Sequence, residues 1–194
     1  MRTLLIAVLL AFLAGCATVS KMETGEQTLG ERLLVTLEGP WNRVEAPGLG
    51  PAQIWTMEGL PVDQLMVYSG IKNEELVHAG GASGGERKDF AFRSGMQPHE
   101  MVAMFEGMLT RDGSQFKLAK LEPAAFAGAK GFRFEYSVIR RKDNVVLSGV
   151  GFGAVSNGEL FALLYHAPRL TFFPRHQARV EQMARSAKLK LPAL

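Results

Sequence analysis

The chain has 194 residues, a formal net charge of +3, 47% hydrophobic and 21% charged residues. That length suits one domain with its own core. The mild, unclustered charge lacks the basic stripe of a nucleic-acid binder, so no nucleic-acid partner is expected. A single cysteine excludes an internal disulfide.

Arg2 precedes an unbroken apolar run from Leu4 to Ala14. The run is shorter than the roughly 20 residues of a spanning helix, and has the length and flanks of a secretory signal peptide. It closes on Leu13, Ala14, Gly15 and Cys16, the last being the lone cysteine. These four positions resemble the lipobox of bacterial lipoproteins. The resemblance implies diacylglyceryl transfer to the Cys16 thiol, cleavage between Gly15 and Cys16, and acylation of the new amino group. A thiolate is the natural acceptor for such a lipid, and two or more acyl chains anchor stably where one does not. The expected partner is therefore the membrane, through lipidated Cys16. In Gram-negative lipoproteins an Asp after the cysteine signals inner-membrane retention. Ala17 stands there, which favours the periplasmic face of the outer membrane if the source is Gram-negative. Residues 1–15 read as signal peptide, 16–31 as a lipidated flexible tether, and 32–194 as a single α+β domain. The tether rests on "ATVSKMETGEQTLGE", which is polar and poorly periodic. A chain starting near Arg32 is accordingly expected to fold alone.

"RLLVTLEG", "AQIWTMEG" and "DQLMVYSGI" are short, β-rich and bounded by Gly and Pro, which predicts an antiparallel meander. "HAGGASGGER", residues 78–87, lacks the Gly-Lys-Ser/Thr ending of a P-loop and the spacing of a dinucleotide loop. It reads as a surface loop.

"QPHEMVAMFEGML" predicts a helix that opens at Pro98 and stops at Asp112-Gly113. Met101, Met104, Phe105, Met108 and Leu109 form one apolar stripe along it. The methionines read as core filling rather than as metal ligands, and no metal or other cofactor is expected.

In "GFRFEYSVIRRKDNVVLSGVGFGAVSNGELFALLYHAP" three strands follow one another. Phe132, Phe134, Tyr136 and Val138 alternate with polar residues, the mark of a strand with one buried face. The second strand carries Gly149, Gly151 and Gly153. Asn157-Gly158 predicts a tight hairpin, and the third strand is apolar enough to be central and covered on both faces. A last helix, near Phe173 to Lys188, presents Val180, Met183, Ala184 and Ala187 inward and Arg175, Arg179, Glu181 and Arg185 to water.

Through "GFRFEYSV", the Gly-rich return strand, "NGELFALLYHAP" and the closing helix, this order resembles the α/β/α sandwich of PsbP-like proteins over roughly residues 32–190. A cystatin-like α+β domain is the structural alternative. The resemblance implies an accessory or binding module, not an enzyme. No H-E-x-x-H or G-x-S-x-G is present, so no catalytic residue is assigned. His166, Arg169, Arg175 and His176 flank a strand–helix bend and form the candidate ligand corner. The leading expectation is a non-catalytic envelope lipoprotein that binds an envelope protein. A small-ligand carrier and an envelope hydrolase with an unrecognised site are the alternatives.

Overall fold

The computed structural model describes residues 18–46, 50–78 and 90–190. The expected lipobox residues Leu13, Ala14, Gly15 and Cys16, and residues 79–87 of the glycine-rich run, lie outside them. The elements in chain order are β1 (Thr18–Met22), β2 (Gly25–Leu29), β3 (Leu33–Leu37), β4 (Trp41–Glu45), β5 (Gln53–Thr56), β6 (Gln64–Ile71), α1 (Pro98–Thr110), β7 (Gln115–Phe126), β8 (Ala129–Ile139), β9 (Val146–Ser156), β10 (Glu159–Pro168), α2 (Phe172–Ser186) and β11 (Lys188–Leu189).

Eight strands make one antiparallel sheet in the order β1-β4-β5-β6-β10-β9-β8-β7, and β11-β3-β2 make a small second sheet. Helix α1 covers one face of the large sheet, through Met101, Val102, Met104 and Phe105. Helix α2 and the small sheet cover the other, through Val180, Met183, Leu29, Leu33 and Val35. Strand β10 lies inside the sheet, and every residue from Leu160 to Tyr165 is fully buried. Its apolar run thus meets two covered faces. Among the described residues no helix is long and apolar enough to cross a membrane.

The register of β8 against β9 explains the glycines. Phe132 pairs with Gly153, Phe134 with Gly151 and Tyr136 with Gly149. The three rings lie over the bare backbone of the partner strand. A Cβ on Gly153 would come 2.6 Å from the Phe132 ring, and one on Gly151 or Gly149 closer still to Phe134 or Tyr136. The rings also stack along β8, with Phe134 and Tyr136 centroids 5.5 Å apart. Phe105 of α1 then stacks on Phe134 at 6.3 Å. Asn157 and Gly158 both take positive φ, as the hairpin between β9 and β10 requires.

Four expectations are corrected. Residues 18–31 are not a free tether: β1 pairs with β4 and β2 with β3, and Leu29 is buried in the core. Polar alternation concealed two strands that each bury little by themselves and are held by pairing. Second, β3 leaves the meander for the small sheet, while Trp41–Glu45 supplies the strand beside β5. Third, the closing helix ends at Ser186, and Lys188 pairs with Leu34 as part of β11. Fourth, Glu181 does not simply face water. It accepts a 2.8 Å hydrogen bond from Arg133, tying α2 to β8.

Two outcomes follow from this packing. Gly151→Ala should cost about 1–3 kcal/mol in denaturant unfolding, the usual price of overpacking, whereas Gly95→Ala, which meets nothing within 4 Å, should be near neutral. A chain starting at Arg32 should be less stable than one starting at Thr18, by at least the ~2–5 kcal/mol of losing one buried leucine. Equal melting temperatures would contradict the pairing of β1 and β2.

Candidate functional site

The expected corner of His166, Arg169, Arg175 and His176 is divided by the sheet. Successive side chains on a strand point to opposite faces. Phe161, Leu163 and Tyr165 of β10 point towards α2, so His166, one residue on, points with Leu164 towards α1. His176 lies on the inner side of α2, across the sheet.

His176 and Arg175 act together on one loop. The Nε2 of His176 is 2.7 Å from Oε1 of Glu58, and Arg175 donates to the same oxygen at 3.1 Å. The His176 hydrogen bond, with help from Arg175, holds the Glu58 carboxyl below its ordinary range. Glu58 sits in the β5–β6 loop, which folds around the buried Asp63. That carboxylate accepts the backbone N–H of Met57 at 3.0 Å and of Glu58 at 2.8 Å, and the hydroxyl of Thr56. The pair thus clamps loop to helix.

His166 instead lines a cleft of about 510 Å³ at the end of the sandwich where α1 finishes. Met66, Met108, Leu109, Val138 and Leu147 make its apolar walls, and Gln64, His78, Arg111, Asp112, Ser114 and Arg140 its polar rim. The Tyr136 hydroxyl lies 3.4 Å from the carbonyl of Tyr165 and 3.3 Å from Nδ1 of His166. One arrangement satisfies both contacts: the hydroxyl donates to the carbonyl and accepts from Nδ1–H. That leaves a neutral ring with a lone pair on Nε2. Burial, and then the charge of Arg140, push the His166 pKa down to about 4. Burial and Arg111 likewise lower that of His78. The Asp112 carboxyl is held low by hydrogen bonds from Ser114.

Arg111 lies over the Phe90 ring, 5.6 Å from its centroid, and has no carboxylate partner among the described residues. Arg140 is held by both oxygens of Asp143 at 2.9 and 2.7 Å. No serine, threonine or cysteine hydroxyl or thiol bonds a histidine among the described residues, and no group of three or more His, Cys, Asp or Glu is placed there to hold a metal. The cleft offers apolar contact, the Arg111 guanidinium and the neutral imidazole of His166.

Arg169 stands beyond the end of β10. Its N–H donates to Val146 at 3.0 Å. It lines a shallow notch of about 400 Å³ with Val145, Val146, Pro168, Leu170 and Thr171. Leu170 is 89% exposed. Sequence reasoning reached His166 and Arg169 but missed Arg111, Asp112 and His78. These come from other elements, and no spacing in the chain links them to β10.

The order of strands and helices, with the three-layer packing, matches a solved structure. The fold is PsbP-like. The solution structure of cyanobacterial PsbP, CyanoP, from Synechocystis sp. PCC 6803 superposes with a TM-score of 0.58 at 15% identity, covering 92% of this chain and 96% of that one. The crystal structure of LpqN, involved in cell envelope biogenesis of Mycobacterium tuberculosis, gives a TM-score of 0.41 at 11% identity over 96% of this chain and 97% of that one. No family model and no curated protein matches the sequence. The likeness carries the architecture alone.

The lowered pKa of His166 has a testable sign. The unfolded chain takes up a proton near pH 6.5 and the native one only near 4, so this group removes stability as pH falls through that window and has no effect above it. At 1.36 kcal/mol per unit the full effect is about 3 kcal/mol. His166→Gln should therefore flatten the fall in unfolding free energy between pH 7 and pH 5 relative to the parent. Parallel profiles would show that the imidazole is not held neutral.

Proposed function

We propose that this chain is a lipid-anchored protein of the bacterial envelope that works by binding a partner protein, as an accessory module rather than an enzyme. The observation that carries this reading is the open end of the sandwich. There Leu170, at 89% exposure, heads a group of uncovered apolar side chains, although a soluble domain normally buries or scatters them. The Leu13-Ala14-Gly15-Cys16 ending of the N-terminal apolar run supports the anchor. A PsbP-like fold agrees with an accessory role but does not by itself assign one.

A second reading, a carrier of a small ligand, is favoured by the His166 cleft. Its volume of about 510 Å³, apolar walls and few convergent polar groups are those of a ligand site. Both readings leave the protein without a reaction of its own. On either, the anchored domain faces the periplasm from the outer membrane if the source is Gram-negative.

The anchor is tested at Cys16. Cys16→Ser should abolish metabolic labelling with palmitate and release the domain from membranes into the soluble fraction. Persistent labelling would defeat the lipoprotein reading.

A further inference from the structure

We propose that the end of the sandwich formed by β8, β9 and β10 is a docking surface for a protein segment that presents an apolar side chain among carboxylates. We further propose that the anchor turns this surface away from the bilayer. The docking chemistry rests on the partner-binding reading above, and the orientation rests in addition on its lipid anchor.

Several exposed apolar side chains stand at this one end of the sheet. Leu170 is 89% exposed, Leu60 44%, Ile139 38% and Val146 37%. Ile139 pairs directly with Val146, and the backbone of Arg169 joins Leu170 to Val146. Arg140 donates to the carbonyl of Pro61 at 2.7 Å, which holds the loop of Leu60 to the same end. Val146 and Leu170 line the notch of about 400 Å³, with Val145, Pro168, Arg169 and Thr171. It is the size and character of a pocket for one aliphatic or aromatic anchor.

Charge identifies what should surround that anchor. Arg140, Arg141, Lys142, Arg169 and Arg175 stand at this end. Arg140 is taken by Asp143 and Arg175 by Glu58. The Arg141 guanidinium donates to the backbone carbonyl of Asp112, and its backbone N–H to the Ser114 hydroxyl. Arg141, Lys142 and Arg169 have no carboxylate partner among the described residues. An apolar notch lined by Arg169, with Arg141 and Lys142 outside any close ion pair at the same end, complements an apolar residue with acidic neighbours.

An anionic membrane surface would satisfy the same chemistry, and the course of β1 argues against it. Cys16 precedes Thr18, the first residue of β1, by two positions, a reach of about 7 Å. The lipid therefore holds the β1 edge of the sheet against the bilayer. Strand β1 runs to Met22, opposite Trp41, whose ring meets Tyr165 near the C-terminal end of β10. The chain thus enters β1 from the side away from the notch. Strands β4, β5 and β6 separate β1 from β10, about 19 Å at ~4.8 Å per strand.

The test uses the full chain in nanodiscs of neutral lipid, with short synthetic peptides carrying Leu or Phe between glutamates and matched peptides carrying lysines. The acidic peptides should bind, the lysine peptides should not, and added salt should weaken binding. Leu170→Asp should weaken binding at least tenfold and Arg169→Glu should weaken it too, with melting temperatures unchanged because both side chains stand at the surface. Failure of every acidic peptide to bind, or binding indifferent to Leu170→Asp, overturns the proposal. Leu170-dependent binding of the Cys16→Ser chain to phosphatidylglycerol vesicles, in place of peptide, would replace the protein partner with a membrane. A Cys16→Ser chain that stays on membranes while peptide binding persists defeats the anchor and the orientation and upholds the docking chemistry.

Discussion

The aromatic ladder of β8 across the glycine ladder of β9 is the contact on which the rest depends. Phe132, Phe134 and Tyr136 need space directly opposite, and only residues without a Cβ at 153, 151 and 149 leave it. The rings are thereby pressed flat against the sheet rather than standing off it. This costs β9 some intrinsic strand preference, since glycine loses more backbone entropy than other residues. Aromatic burial offsets that cost. It also fixes register, because a slip of one residue would set a Cβ under each ring and turn the aromatic face away from α1.

Both sides of the sheet take their form from this ladder. On one face the flattened rings make a bed on which α1 can stack Phe105. The hydroxyl of Tyr136, the last ring, reaches across the sheet to β10 and meets His166. The cleft exists because α1 ends there, at Thr110, before it can cover the last row of the strands. On the other face Arg133, between two of the ladder's rings in sequence, points towards α2. It binds Glu122, Glu135 and Glu181 at once. A half-buried guanidinium shared among three carboxylates positions a helix more than it stabilises one.

The open end of the molecule is a consequence of unequal lengths. Strands β8, β9 and β10 run to 10 or 11 residues, while α2 begins only after the Arg169–Thr171 link. The sheet outruns its cover, and the residues at its tip are left facing solvent. The Glu58 loop is clamped to α2 by His176 and Arg175 and closes the core just short of that tip. The same clamp commits two residues of the expected ligand corner, Arg175 and His176, to Glu58.

Much of the architecture was legible in the sequence. Alternation gave the buried face of β8, Asn157-Gly158 gave the hairpin, and the apolar run of β10 gave its central place. In each case the signal is local, a period of two or a turn residue's tolerance of positive φ. The stripe of Met101, Met104 and Phe105 was legible for the same reason, as a period of 3.6. The first strands were not, because β1 buries almost nothing and β2 buries fully only Leu29, and both exist by pairing with segments further along the chain. The grouping of site residues was not legible either. Proximity along the chain placed His166 beside His176, whereas a strand's alternation and a helix on the far layer put the sheet between them. The sequence by itself determined the elements, the turn chemistry and the lone cysteine after an apolar run, since each depends on neighbours a few residues away. Only the tertiary structure decided which face His166 and His176 serve, which arginines lack a carboxylate partner among the described residues and where the exposed leucines stand. Those properties depend on contacts between residues that can lie more than a hundred positions apart, as do Glu58 and His176.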